Sequence, residues 1–496
     1  MPTTGLSIQV GTERSPLLCN PMSLPTDGGS SSAGDGISPK YNPPLATPRL
    51  TRHLPRRVEP VAPSQRRSGL RDSIFNLSVS ALGAGILVIP YSFRCTGLLG
   101  GLAMLTLVAL ASLRSLDLLE TAARLCEPAR YSFEGVAAYH GGVCLERAVQ
   151  ASLAVLLLLG ALTTLIVLAA NLCLPVLQYA CGAGHECWWA SHDLVVLLNV
   201  LLVLPLCMKQ NLHALRHSSM GALLCIAYLF CVVLLRSGQA IRAQGGAAPG
   251  TEWGVNVGGQ FVYAFAIQAL AFCCQFNLLP LFSELRDPTP ARMHAIKRTS
   301  VAICWFMYAA FGTAAYLAAG PATQADLLTN FPPSDVAVSV GRCLLALSLL
   351  MKCPLILQPL RAVLHALFAK RRGAETARRL AFTPHSAAGR GEGRAVAAKK
   401  GWRMLLLETC ALLGVALVPA ELLSNIALIY SIVGAACGSL VCFILPGVIF
   451  LNVKDEAVAA SWRARAPAVA ITLFGAVSAV ASLYAVVETV EAAPAH

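Results

Sequence analysis

The sequence predicts an all-α polytopic membrane protein, on three observations: a strongly apolar composition, a series of apolar runs of membrane-crossing length, and helix breakers inside two of those runs. Of its 496 residues, 56% are hydrophobic and 13% charged, and mean hydropathy is +0.64. A water-soluble domain carries roughly a quarter charged residues, so this balance excludes one. Apolar runs that reach or approach the roughly 20 residues needed to cross a bilayer lie near 72–93, 98–120, 148–179, 193–208, 218–236, 257–282, 299–320, 336–360, 403–420, 425–451 and 465–488. They make about eleven transmembrane helices. The fourth is short, and only the polar turn Lys209 to His217 parts it from the fifth.

Basic residues in short loops set the expected orientation. With the N-terminus cytosolic, the cytosolic side collects Arg124, Arg130, Arg147, Lys209, Arg216, Arg286, Arg292, Lys297, Arg298, the long basic loop 361–402, Lys454, Arg463 and Arg465. The opposite side keeps Arg94, Arg236, Arg242 and Arg342. The net charge of +13 then follows from topology and implies no nucleic-acid partner.

Residues 1–70 are rich in Pro, Ser, Gly and Arg and hold too few large apolar residues to form a core, so they read as a disordered cytosolic tail ahead of a transmembrane domain over 71–490. The tail has no short apolar stretch of the signal-peptide kind, which leaves insertion to the first span. Its Glu13, Leu17 and Leu18 fit the acidic dileucine pattern that sorting adaptors read in lysosomal and endosomal membrane proteins. An intracellular acidic membrane is therefore expected, with the plasma membrane as the alternative. Most of the 18 cysteines fall inside spans as small apolar packing residues. Cys181 and Cys187 differ, since they follow the third span on the non-cytosolic side, where a disulfide is allowed. There is no Walker A sequence, no GxSxG elbow and no cluster of metal-ligating residues, so no catalytic residue, metal site or cofactor is assigned and enzymatic chemistry is not expected.

Two spans carry the functional signal. The first, NLSVSALGAGILVIPYSF from Asn76 to Phe93, is broken by Gly83, Gly85 and Pro90; the sixth, Ala271 to Arg286, is interrupted by Gln275, Asn277 and Pro280. Lipid cannot satisfy a freed backbone N–H or C=O, so breaks at membrane depth belong where protein or a wet cavity surrounds them. A matched pair five spans apart is the pointer to inverted five-helix repeats with a site at the midplane. A half-helix N-terminus suits a carboxylate and unwound carbonyls suit an ammonium, which makes an α-amino acid the matching ligand. The candidate binding residues are Ser80, Gly83, Ala84 and Gly85 from the first break and Cys274, Gln275 and Asn277 from the second.

The string from Phe75 to Gly97, FNLSVSALGAGILVIPYSFRCTG, resembles the first span of the amino acid/auxin permease family, closest to its sodium-coupled neutral amino acid transporters. Leu279-Pro280 followed by Ser283-Glu284-Leu285, Pro354 with Pro359 to Arg361, and Ser431 through Pro446 are similar to that family's sixth, eighth and tenth spans. The resemblance covers roughly 70–485 and implies an eleven-span LeuT-like fold and secondary active transport of amino acids.

Three departures bear on coupling. Where the resemblance implies a sodium-holding Asn, this chain has Val79; near Pro354, where a Thr oxygen is implied, it has Lys352 and Leu350, with Ser348 one turn earlier; and the family's His aligns with Gln275. Valine offers no hard oxygen, and a lysine ammonium could serve as a built-in cation, so sodium coupling is not expected. Proton coupling would then use Lys352, with Glu408 and Asp117 as weaker candidates, Asp117 being placed for a local ion pair with Arg114. The expected function is sodium-independent transport of neutral amino acids by alternating access, proton-coupled or facilitative; the alternatives are a cationic amino acid carrier or an amino-acid sensor signalling through its tail or loop.

Overall fold

A computed structural model describes residues 68–126, 131–182, 187–208, 216–258, 260–369, 391–422, 426–455 and 461–491. The described residues contain helices and one isolated backbone pairing, between Ser68 and Leu285. The first span is a pair, α1 (Leu70–Ala81) and α2 (Ile89–Thr96), joined through a 3-10 turn at Ala84–Leu87 and bent by 55°. The second span is α3 (Leu98–Arg124). The third runs from α4 (Phe133–Val155) through a π-helical stretch, Leu156–Thr163, into α5 (Thr164–Cys181).

The short fourth span is α6 (His192–Met208), followed by α7 (Arg216–Ala243). The sixth span is again a pair, α8 (Gln260–Ala271) and α9 (Gln275–Glu284). Then come α10 (Pro290–Ala319), α11 (Val336–Ala369) and α12 (Gly391–Leu422). The tenth span is α13 (Ile426–Val433), two π-helical turns and α14 (Leu445–Leu451), and the last is α15 (Trp462–Glu491).

Among the described residues nine helical runs are long and apolar enough to cross a membrane, with α4–α5, α8–α9 and α13–α14 each counted as one run; the bent α1–α2 pair makes ten, and α6 is a shorter apolar helix of 17 residues. The expected spans are thus all present among the described residues. A helical lead-in that the apolar runs did not show precedes the third span: α4 starts at Phe133 and breaks at Gly142, whose φ is 71°, and the helix that continues into the span begins just before the expected 148. Ser132 caps the lead-in by accepting the Gly135 N–H, which lets a polar segment form helix before the apolar run begins.

Breakers and small residues decide how the helices meet. Gly97 (φ 75°) turns the chain between α2 and α3 with no room for a side chain, since a Cβ would stand 2.5 Å from the Gly254 carbonyl oxygen. The 252–256 loop answers the unpaired N–H groups at the start of α3: Leu98 donates to Glu252 at 2.9 Å and Leu99 to Trp253 at 3.2 Å. In the tenth span, Gly434 lies directly on α8 and Gly447 on α15. Small residues at such crossings are what permit close packing where lipid supplies no hydrophobic drive between helices. Outward, Leu107, Leu110, Leu201, Phe306 and Val477 stay exposed, the apolar shell that a bilayer requires.

Candidate functional site

The two broken spans face each other. α1 ends where the Leu82 N–H returns to the Ser78 carbonyl at 2.7 Å and the Gly83 N–H to Ala81 at 2.7 Å. The 3-10 turn then begins, and its first N–H groups have no acceptor one turn earlier within it. Pro90 sits in the first turn of α2, where the N–H it lacks has no helical partner to lose. Beside Gly83 there is open space, because an added Cβ would meet nothing within 4 Å. At Gly85 the situation reverses: a Cβ would lie 3.2 Å from that of Ala271, so the two breaks touch there and glycine allows it.

The second break spans Phe272 to Cys274. Gln275 replaces part of its missing backbone pairing, with its Oε1 accepting the Cys274 N–H at 3.0 Å while its Nε2 donates to Ser112 Oγ of α3 at 3.1 Å. It is fully buried, with both polar ends already engaged. Cys274 is buried beside it at the N-cap position of α9, with no side-chain hydrogen bond to the start of that helix. Asn277 is half-buried and donates to the Ser80 hydroxyl, tying α9 to α1 directly. Gln268 of α8, also fully buried, donates to Ser92 Oγ at 3.0 Å and to the Gly101 carbonyl at 3.3 Å.

Ser80, Gly83, Gly85 and Asn277 are therefore brought together, and Ala84 follows Gly83 in the backbone of the same turn. The structure adds one residue that the sequence did not single out. The Tyr308 hydroxyl of α10 lies 2.7 Å from the Ala81 carbonyl and 2.9 Å from that of Ala271. A tyrosine within an uninterrupted apolar span carries no pattern that sets it apart from its neighbours.

The coupling candidates lie elsewhere. Val79 is half-buried on α1. Ser348 and Lys352 sit one turn apart on α11, whose main neighbours are α5 and α7. The buried Ser348 hydroxyl has no hydrogen-bond partner among the described residues. Among the described residues, no hydrogen bond or ion pair holds the half-buried Lys352 or links it to α1. Glu408 of α12 pairs with His365 at 2.9 Å.

Two polar clusters close the ends of this region. Where α1 begins, Lys297 of α10 is buried and bonds Asp117, with Glu120 at 2.5 Å. Glu120 also holds Arg124 at 2.6 Å, and Arg124 lies over the Phe282 ring at 5.0 Å and donates to the Pro288 carbonyl at 3.0 Å. Two expectations are corrected here. Asp117 pairs across helices with Lys297 instead of locally with Arg114, and Lys297 is no loop charge, because α10 starts at Pro290 and carries it inside the bundle.

At the opposite end, Arg94 donates to the Thr323 carbonyl at 2.9 Å. The buried Arg342 donates to the Phe331 carbonyl at 2.8 Å and to Leu328 at 2.6 Å. Asp326, buried in this loop, caps a short turn by accepting the Leu328 N–H at 3.0 Å. Burial pushes its carboxyl up to about 6, against the pull of the Leu328 N–H and Arg342. The folded chain thus binds this proton more tightly than the unfolded chain, whose value is 3.8. Stability from Asp326 is complete below about 4 and is lost as pH rises through about 6, with a slope of at most about 1.4 kcal/mol per pH unit. Asp326→Asn keeps an oxygen for Leu328, and melting curves between pH 5 and 7 are expected to show a flatter decline in the variant.

Cys181 and Cys187 are joined in a disulfide, with Cα atoms 6.3 Å apart. The sorting pattern Glu13, Leu17, Leu18, most of the tail, and 370–390 of the long loop lie outside the described residues. Among the described residues, no group of three or more His, Cys, Asp or Glu is placed to hold a metal ion.

Comparison with known proteins gives the same family as the sequence resemblance. Amino acid transporter AVT6E of Arabidopsis thaliana is 27% identical over 283 residues, which cover 54% of this chain and 56% of that relative. Vacuolar amino acid transporter 6 of Saccharomyces cerevisiae is 24% identical over 309 residues, 60% of this chain and 66% of that relative. In both, the match spans less than two thirds of the relative's own length. The fold is similar to that of Mhp1 in its inward-facing conformation, with a TM-score of 0.50 at 11% identity, over 89% of this chain and 95% of that one. The architecture is accordingly LeuT-like, with broken first and sixth spans. Residues 66–488 match the family model described as transmembrane amino acid transporter protein, and the chain belongs to that family.

Proposed function

We propose that this protein is a secondary carrier of neutral amino acids that works by alternating access without sodium. The observation that carries the reading is the contact between the two helix breaks, with Gly85 against Ala271 and Ser80 bonded to Asn277. Unwound carbonyls and free N–H groups together suit a zwitterion, and open space beside Gly83 lets a ligand approach the backbone. The names of both relatives, amino acid transporters, support the substrate class.

Sodium independence is supported by chemistry at three positions. Val79 brings no oxygen, the Ser348 hydroxyl is a single buried oxygen, and Lys352 adds an ammonium one turn away. A lysine close in sequence to where the resemblance implies a sodium ligand supports a carrier that needs no such ion and makes Lys352 the group to carry a coupled proton. The positive-inside distribution supports a cytosolic N-terminus. The dileucine pattern at Glu13, Leu17 and Leu18, recognised by sorting adaptors, and the vacuolar name of the yeast relative support an intracellular acidic membrane.

Counterflow into proteoliposomes, run across the twenty amino acids with and without sodium and a pH gradient, tests the reading. Uptake of neutral amino acids that ignores sodium is expected; saturable binding without flux would overturn it in favour of a sensor. In the same assay Lys352→Thr is expected to lose pH sensitivity or to acquire sodium dependence. Unchanged behaviour in both respects would remove Lys352 from coupling.

A further inference from the structure

Each helix break leaves the last carbonyls of its helix without their helical donors, Ala81 and Ala271 among them. In an unbroken helix the Ala81 oxygen would accept from Gly85 and the Ala271 oxygen from Gln275, yet neither backbone bond exists among the described residues. Both oxygens instead point to the hydroxyl of Tyr308, at 2.7 and 2.9 Å. A phenol has one proton to give. It can serve one carbonyl at a time and leaves the other short, and a buried acceptor left short seeks another donor.

The two carbonyls are not equivalent. Ala81 also receives the Gly83 N–H at 2.7 Å, whereas Tyr308 is the one donor that reaches Ala271 among the described residues. When the hydroxyl turns to Ala81, the Ala271 oxygen is therefore open. The ring itself is held fast, fully buried and edge-on to Phe272 at 5.3 Å. Its helix presents a strip to the first span: Cys304 reaches the Ser78 carbonyl at 3.7 Å, and Gly312 makes room for Ile89 and Phe93.

We infer that Tyr308 is a positioning residue for the substrate ammonium: its hydroxyl holds the Ala81 and Ala271 carbonyls in register across the two breaks, and the bound ammonium takes over the Ala271 oxygen while the hydroxyl commits to Ala81. The inference rests on the carrier reading. It makes the Ala271 oxygen the acceptor for the amino group and places control of that oxygen on a hydroxyl from a third helix.

Tyr308→Phe removes the hydroxyl and keeps the ring. The probes are L-alanine and propionate, the same small acid without the ammonium, each measured as an inhibitor of alanine counterflow. Wild-type protein should favour alanine strongly. In Tyr308→Phe the apparent affinity for alanine should fall about tenfold while weak inhibition by propionate stays where it was, so the ratio between them collapses. An unchanged ratio, or an equal fall for both probes, would reduce Tyr308 to a packing residue and overturn the inference. If Tyr308→Phe does not purify, replacement of Tyr308 by 4-aminophenylalanine keeps a donor at the para position and is expected to preserve the ratio; a collapsed ratio there overturns the inference. Absence of alanine counterflow in the wild type would instead defeat the neutral-carrier reading, independently of any variant.

Discussion

Lys297→Met is expected to destabilise the protein by about 3 to 5 kcal/mol, the range for breaking a buried ion pair by deleting one partner. The side chain of Lys297 is 3% exposed and that of Glu120 8%. With the ammonium gone, among the described residues Glu120 keeps only its pairing with Arg124, and Asp117 is left with His294 at 3.9 Å. The cost arises from charge left uncompensated in a dry place, so removing the matching charge should relieve it. Asp117→Asn added to Lys297→Met is expected to recover most of the loss. Melting temperature in detergent reads both results: a drop of several degrees for the single variant and partial return for the double. A single variant that melts with the wild type would show that water reaches the cluster and screens it.

Gly434→Ala should be nearly as damaging for a different reason. A Cβ there would lie 2.1 Å from the Ala266 carbonyl oxygen and 2.7 Å from its carbon, and these are backbone atoms in the middle of α8 that no rotamer change can move. Overpacking of this kind costs about 1 to 3 kcal/mol, and the only relief is to part the tenth span from the sixth. Because α8 leads straight into the second break, the displacement should reach the site as well. Counterflow is expected to fall together with thermal stability. Gly414 supplies the control, since a Cβ at that helical position meets nothing within 4 Å, and Gly414→Ala should be neutral or stabilising by about 0.5 to 1 kcal/mol.

Much of the architecture was legible in the sequence because a membrane punishes ambiguity. Apolar runs of about 20 residues can do little else than span, and Gly83, Gly85 and Pro90 could break a helix at depth only where protein surrounds them. What stayed illegible depends on partners far apart in the chain. Lys297 read as one more loop cation, since nothing local shows that α10 begins seven residues earlier or that Asp117 lies opposite. Gln275 was legible as an interruption, but its use as a stand-in for lost backbone pairing depends on Ser112, 163 positions away. The helix ahead of the third span was missed because Phe133 to His140 has no membrane-like run, and its start is set by a cap instead.

The pairing of Ser68 with Leu285 has a mechanical consequence. Ser68 receives the Arg286 N–H at 3.1 Å and gives its own to Glu284 at 3.2 Å, so the lead-in to α1 is stitched to the far end of α9. Any swing of the first half-helix must drag the sixth span's exit along or unzip two backbone bonds worth about 1 kcal/mol each. A tug on the chain upstream of Ser68 is therefore delivered to both broken spans at once, as on a pair of doors hung from one pin.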